Sequence, residues 1–337
     1  MGKWLKIGRA MDLLFGVTLS EKIKMTINIW VHDWSMMPVP MSYEEHKIFF
    51  DIDERMLQRT FEDLPPESYR EIKDFLYFRQ RLGMPEETYN FYFYNWHRMA
   101  PGSQKGRKRY YRELKKYKYC SKAGLGDAES ILYHHGLKDL PQEVLQYIKG
   151  GTFCDVGGCY GDSALVFFRH YSPQKVVTFE PGGDNRKIYT ENMQKNGIAP
   201  EQYTLLPCGL GAEQKTVYCK NEQGSGNSLA EPGEFAIEVK TLDTVCQEEK
   251  IANVKVIKAD TEGMGLQMLL GSEATIRRER PVLLLSIYHN QEEFFGIYKI
   301  LKEWNLDYSI SIRHCHYLPG AELTLIGFPR EILKEMV

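Results

Sequence analysis

The run Thr152-Phe153-Cys154-Asp155-Val156-Gly157-Gly158-Cys159-Tyr160-Gly161-Asp162-Ser163-Ala164-Leu165-Val166 decides how this chain folds. Its first five residues have the look of a buried strand, and Ser163 to His170 that of a helix. Between them lie three glycines in five positions. Glycine lets the backbone turn sharply and approach a ligand closely, and a helix N-terminus offers unpaired amides to an anion. The dinucleotide fingerprint GxGxxG would need glycine at 159, where Cys159 stands, which argues against a nicotinamide-dependent oxidoreductase. An acid, Asp155, lies two places before the first glycine. Asp162, at the helix start, could cap it.

Downstream, strands and helices alternate in the manner of a parallel α/β sheet. Val176 to Phe179 predicts the second strand, with a helix from about Asp184 to Asn196 and a third strand at Tyr203 to Pro207. Lys215 to Lys220 and Phe235 to Val239 suggest an extra strand pair around a polar, glycine-containing loop. Val254 to Lys258 predicts the fourth parallel strand, followed by a helix carrying Leu266, Leu269 and Leu270. The nearly continuous apolar run Pro281 to Ile287 fits a central strand covered on both faces. After a helix from Glu292 to Trp304, strands at Tyr308 to Arg313 and Leu323 to Gly327 follow with no crossover helix, so antiparallel pairing is expected.

Candidate functional residues fall at the carboxyl ends of these strands, where α/β sheets place ligands. Asp155, Gly157, Gly158, Gly161 and Asp162 form the first group. Glu180, 25 residues after Asp155, ends the second strand and could accept the hydroxyl hydrogens of a ribose. Cys208 and Gly209 follow the third strand. Asp260 and Glu262 lie at the mouth of the fourth, and His289 beyond the neighbouring Pro281 to Ile287 strand. Histidine titrates near neutrality and suits proton removal from a hydroxyl. Asp260 and Glu262 could also hold Mg²⁺, although two carboxylates do not establish a metal.

The remaining sequence sets bounds. The chain has 337 residues, 43% of them hydrophobic and 26% charged, with net charge -2, so it can bury a core, and its overall charge favours no nucleic-acid partner. Its seven cysteines form no CxxC pair, which fits reduced thiols in the cytoplasm. The N-terminus lacks a clean signal-peptide core because Lys6, Arg9 and Asp12 interrupt it, and no apolar stretch is long enough to span a membrane. Residues 1–118 have mostly helical periodicity, as in Tyr43 to Phe61 and Glu67 to Leu82. They suggest a helical N-terminal domain over 1–118, serving as a cap or an oligomerisation element. The basic run Lys105 to Lys118 suits a solvated linker helix, with a nucleic-acid surface as the rival reading.

Taken in order, DVGGCYGDSALVF, VVTFEP, CGLG, VKVIKADTEG and PVLLLSIYH resemble the FkbM family of methyltransferases, together with the upstream AESILYHHGLKDLP. The resemblance covers roughly residues 120 to 330. It implies a Rossmann-like seven-stranded sheet with its last strand antiparallel over 119–337. It also implies S-adenosylmethionine as methyl donor, held at Asp155, Gly157, Gly161 and Glu180. The acceptor it implies is a hydroxyl on a small molecule, such as a sugar, glycan or secondary metabolite. One departure stands out: the family often continues its DxEG motif with an aromatic and a second glutamate, where this chain has Met264 and Gly265. That departure keeps open a degenerate binding or scaffold module. A nucleic-acid methyltransferase is disfavoured because ADTEG stands where a base-accepting NPPY-like loop would be.

Overall fold

A computed structural model describes residues 48–81, 103–119, 128–219, 235–317 and 320–334. The N-terminal segment with Lys6, Arg9 and Asp12, the start of the Tyr43 to Phe61 run and the glycine-containing loop at 220–234 lie outside the described residues. The central element is a seven-stranded sheet of order β3-β2-β1-β7-β8-β10-β9. Its strands are β1 Thr152–Val156, β2 Lys175–Phe179, β3 Tyr203–Leu206, β7 Val254–Ala259, β8 Val282–Ser286, β9 Tyr308–His314 and β10 Leu323–Pro329. Only β10 runs against its neighbours, pairing antiparallel with both β8 and β9. The predicted extra pair also forms: β5 Lys215–Cys219 lies antiparallel to β6 Phe235–Lys240, and the short β4 Gly209–Leu210 joins the other side of β6.

Two apolar layers sandwich the sheet. β1 and β8 are buried along their whole length, which explains why their sequences are apolar rather than alternating. One layer is built from α5 Asp162–His170, α6 Gly183–Lys195, α4 Gln142–Ile148 and the segment 128–139. Tyr110 and Leu114 of α3 Ser103–Leu114 are buried in that same layer, so the basic run belongs to a docked amphipathic helix.

The opposite layer brings residues 48–81 into the sheet's own core. In α1 Glu54–Phe61, Leu57 and Phe61 are buried, and the Asp53 carboxylate caps the helix by accepting from the Met56 amide at 2.8 Å. α2 Pro66–Arg81 packs along β9, where the Ile312 amide donates to Ser68 Oγ at 3.0 Å. Phe61 meets Phe294 edge-on at 5.6 Å and lies near-parallel to Phe295 at 5.8 Å. Asp63 accepts from the Tyr298 hydroxyl and pairs with Lys302. These described residues therefore share one core with the strands.

The segment before α4 is unusual. A single π turn, Glu129–Tyr133, is followed by three consecutive left-handed residues, His134 (φ 52°), His135 (φ 53°) and Gly136 (φ 89°). Only glycine visits this region without cost, so the packing must hold the two histidines there. His134 Nδ1 lies 2.7 Å from the Tyr171 hydroxyl, and its ring lies 4.5 Å from that of His170. Burial, reinforced by His170, pushes the His134 pKa from 6.5 down to about 3. The unfolded chain thus binds more protons than the folded one between these values, and stability must fall as pH drops below 6.5. We expect chemical denaturation to show a loss of up to roughly 1.4 kcal/mol per pH unit through this window, which His134→Gln should flatten.

Candidate functional site

The chain runs from β1 outward through β2 and β3, then returns to β7 on β1's other side. The gap between β1 and β7 is therefore the topological switch point, outside whose carboxyl ends α/β sheets open a crevice. Asp155 and Lys258 occupy paired positions across it. The Lys258 ammonium lies 3.3 Å from Asp155 Oδ1 and donates to the Gly157 carbonyl at 2.9 Å. Asp155 is fully buried and Lys258 nearly so, yet neither Asp155 oxygen accepts a well-formed hydrogen bond among the described residues. Burial raises the Asp155 pKa, with Lys258 pulling against it. Lys258 in turn is shifted up, because Asp155 and Asp260 outweigh its own burial.

The loop after Asp155 is pressed against its neighbours. A Cβ at Gly157 (φ 76°) would lie 1.9 Å from the Asp260 carbonyl oxygen, and one at Gly158 would lie 2.0 Å from Thr178 Cγ2. Neither position admits another residue without moving β1, β2 or β7 apart. Gly161 is the N-cap of α5, with φ 85°. Asp162 falls just inside the helix, so the expected side-chain cap does not form. It instead places a negative charge in the first turn, where the helix dipole favours it.

Glu180 sits beside this loop at the end of β2. Its Oε1 accepts from the Gly182 amide at 2.7 Å and from Asn185 Nδ2 at 3.2 Å, while Oε2 accepts from the Cys159 amide at 2.9 Å. A carboxylate offers about four acceptor sites. The three occupied ones leave room for one hydroxyl donor rather than the two expected of a ribose partner. Cys208 is buried in the apolar core, with burial raising its thiol pKa to about 11, and Gly209 begins β4.

At the mouths of β7 and β8 the structure brings Asp260, Glu262 and His289 together. His289 Nε2 lies 3.1 Å from Asp260 Oδ1 and 3.7 Å from Glu262 Oε2. The Tyr288 hydroxyl lies 3.3 Å from both Asp260 oxygens. The other ring nitrogen, Nδ1, lies 2.8 Å from Glu293 Oε2, a fully buried carboxylate one turn further along the chain. Burial would lower the His289 pKa, but Asp260 and Glu293 outweigh it and hold it well above the usual value. The same pairing holds Asp260 below the ordinary carboxylate range, against its burial.

Glu293 also resolves the departure at Gly265. Its Oε1 accepts from the Gly265 amide at 2.7 Å, and a Cβ at 265 would stand 2.8 Å from that same oxygen. An acidic side chain at 265 and Glu293 in its present position exclude each other. Sequence reading missed Glu293, whose one available signal was its i+4 spacing from His289. It also missed Lys258, although the alternation of β7 marked a cation in a buried strand. Glu129 and Glu322 join the same mouth, their carboxylate oxygens lying within 4.8 Å of one another and of Asp260. Asp260, rather than the half-exposed Glu262, is therefore the acid at the centre of the crevice.

A seven-stranded sheet with one antiparallel strand, and a glycine loop leaving its central strand, is the class I methyltransferase fold. Residues 155–310 match the methyltransferase FkbM domain. The crystal structure of methyltransferase FkbM from Methylobacillus flagellatus KT is similar at TM-score 0.51 and 16% identity, covering 81% of this chain. This chain spans 58% of that protein's length. An rRNA methylase from Streptococcus thermophilus matches at TM-score 0.37 and 9% identity, over 56% of this chain and 92% of its own. Precorrin-6y C5,15-methyltransferase from Geobacter metallireducens GS-15 matches at 0.36 and 8%, over 64% and 95%. No curated protein matches the chain.

The buried ion pair makes a direct prediction. Lys258→Met strands an unpaired carboxylate and should cost about 3–5 kcal/mol in urea denaturation. Adding Asp155→Asn should recover a substantial part of that loss. Equal stability of the single mutant and wild type would show that Asp155 is neutral in the folded protein.

Proposed function

We propose that this protein is an S-adenosylmethionine-dependent methyltransferase that methylates a hydroxyl, with a sugar, glycan or secondary-metabolite alcohol as the acceptor class. The observation that carries the reading is the construction at the switch point: Asp155 buried with uncommitted oxygens, the cramped glycine loop and Glu180 beside it. Carboxylates outnumber cations around the mouth, with Asp155, Asp260, Glu262, Glu293, Glu129 and Glu322 against Lys258, His289 and His135. Such a field favours a cationic donor over an anionic one.

The residues present fit this donor. Asp155 would face its ammonium end, the positive end of the α5 dipole its carboxylate, and the remaining acceptor site of Glu180 one ribose hydroxyl. When bound, S-adenosylmethionine supplies an electrophilic methyl group on a sulfonium. The chain's own contribution is then alignment and proton handling. Alignment of reacting groups can contribute on the order of 7–11 kcal/mol. His289 has carboxylates facing both ring nitrogens, which favour its charged form and make it a poor resting base. Its role is to keep Asp260 ionised and oriented. Asp260 receives the acceptor's hydroxyl proton as the carbon–oxygen bond forms. Its weakness as a base is no obstacle, since an alcohol that has gained a methyl while keeping its proton is strongly acidic.

Cytoplasmic location follows as an expectation from the cysteine pattern, and among the described residues no helix is long and apolar enough to cross a membrane. Calorimetry with S-adenosylmethionine and S-adenosylhomocysteine should give micromolar binding that Asp155→Ala and Glu180→Ala each weaken about tenfold or more. Binding should persist in EDTA. A folded protein that binds neither ligand would turn the reading toward a scaffold module.

A further inference from the structure

The segment preceding the family-matched region enters the core beside the glycine loop, and its polar residues meet there. Glu129, Ser130, His135 and Ser163 are each no more than 3% exposed. They form a chain of contacts. His135 Nδ1 lies 3.2 Å from Glu129 Oε2, and its Nε2 lies 2.8 Å from Ser163 Oγ and 3.1 Å from Ser130 Oγ. Glu129 is itself fixed through Oε1, which accepts from the Thr324 hydroxyl of β10 at 2.6 Å. Ser163 is the second residue of α5, in the first turn directly after the glycine loop.

The backbone is arranged to make this contact. His135 is held at φ 53° between His134 at 52° and Gly136 at 89°. A Cβ at Gly136 would lie 2.2 Å from Ile326 Cδ1, so the turn is driven close against β10. Strained backbone persists only where surrounding structure enforces it, and it concentrates at functional sites. The two histidines of the turn also differ. His134 points to Tyr171 and His170 at the far end of α5, whereas His135 points to its first turn.

We propose that His135 is a positioning residue for the donor site: gripped by Glu129, it fixes Ser163 and thereby sets the first turn of α5 against the glycine loop. The inference rests on the donor reading above and extends the site to a segment outside residues 155–310. Burial alone would lower the His135 pKa, but Glu129, whose carboxylate faces Nδ1, outweighs it and raises it.

The test uses S-adenosylhomocysteine as the calorimetric probe, so no acceptor is needed. Ser163→Ala removes one hydroxyl and leaves little cavity; Glu129→Gln keeps shape and removes charge. Each should weaken binding about tenfold, the scale of a lost hydrogen bond to a charged partner. Ser163→Thr should restore affinity, and His134→Gln in the same strained turn should leave it unchanged. In protein labelled with ¹⁵N-histidine, the His135 ring resonances should move on adding the probe while those of His134 stay put, which a purely structural role would not produce. Wild-type affinity in both Ser163→Ala and Glu129→Gln would overturn the inference and leave the donor reading intact. A wild-type protein that does not bind the probe would overturn both.

Discussion

Asp155 and Lys258 face each other across the one gap in the sheet where the chain reverses its direction of winding. The rest of the site depends on this buried pair. Lys258 holds the first glycine of the loop by its carbonyl, and that glycine lies so close to the Asp260 backbone that no side chain fits between them. The charge pair, the loop shape and the position of Asp260 are thus one mechanical unit. A buried ion pair is a poor source of stability but a strong source of specificity when breaking it strands a charge. Here it fixes where the crevice opens.

Around this unit the protein assembles acids from elements far apart in sequence. Asp260 and Glu262 come from the β7 mouth, Glu293 from a π turn after β8, and Glu129 from another π turn before β1. π turns are uncommon and often mark functional positions. In this chain each directs a buried glutamate at a histidine: Glu129 at His135, and Glu293 at His289. Each ring has its Nδ1 toward the glutamate and its Nε2 toward the site. The two arrangements flank the crevice, one behind the glycine loop and one at the mouths of β7 and β8.

Gly265 illustrates why local motif comparison can mislead. Taken alone, the absence of an acid there suggested lost chemistry. In three dimensions the volume next to Gly265 is filled by the Glu293 carboxylate, which accepts the Gly265 amide and meets His289. The charge is present at that place but arrives from another part of the chain.

The sequence by itself determined the strand order's raw material. Period-2 and continuous apolar runs marked the strands, glycines marked the turn, and the missing crossover helix at the end marked the antiparallel β10. Asp155, Glu180, Asp260 and His289 were legible because they sit at strand ends, which topology brings to one edge whatever the packing. Only the tertiary structure decided how those groups are used. It showed that Lys258 neutralises Asp155, that Glu180 has one acceptor site left and that His289 is clamped between two carboxylates. It also put residues 48–81 into the sheet's own core and brought His135 to the first turn after the glycine loop. The physical reason is range. Periodicity and turn chemistry are set by neighbours in sequence, whereas charge state and hydrogen-bond capacity are set by partners far away in the chain, 195 residues between Glu129 and Thr324 and 244 between Ser68 and Ile312.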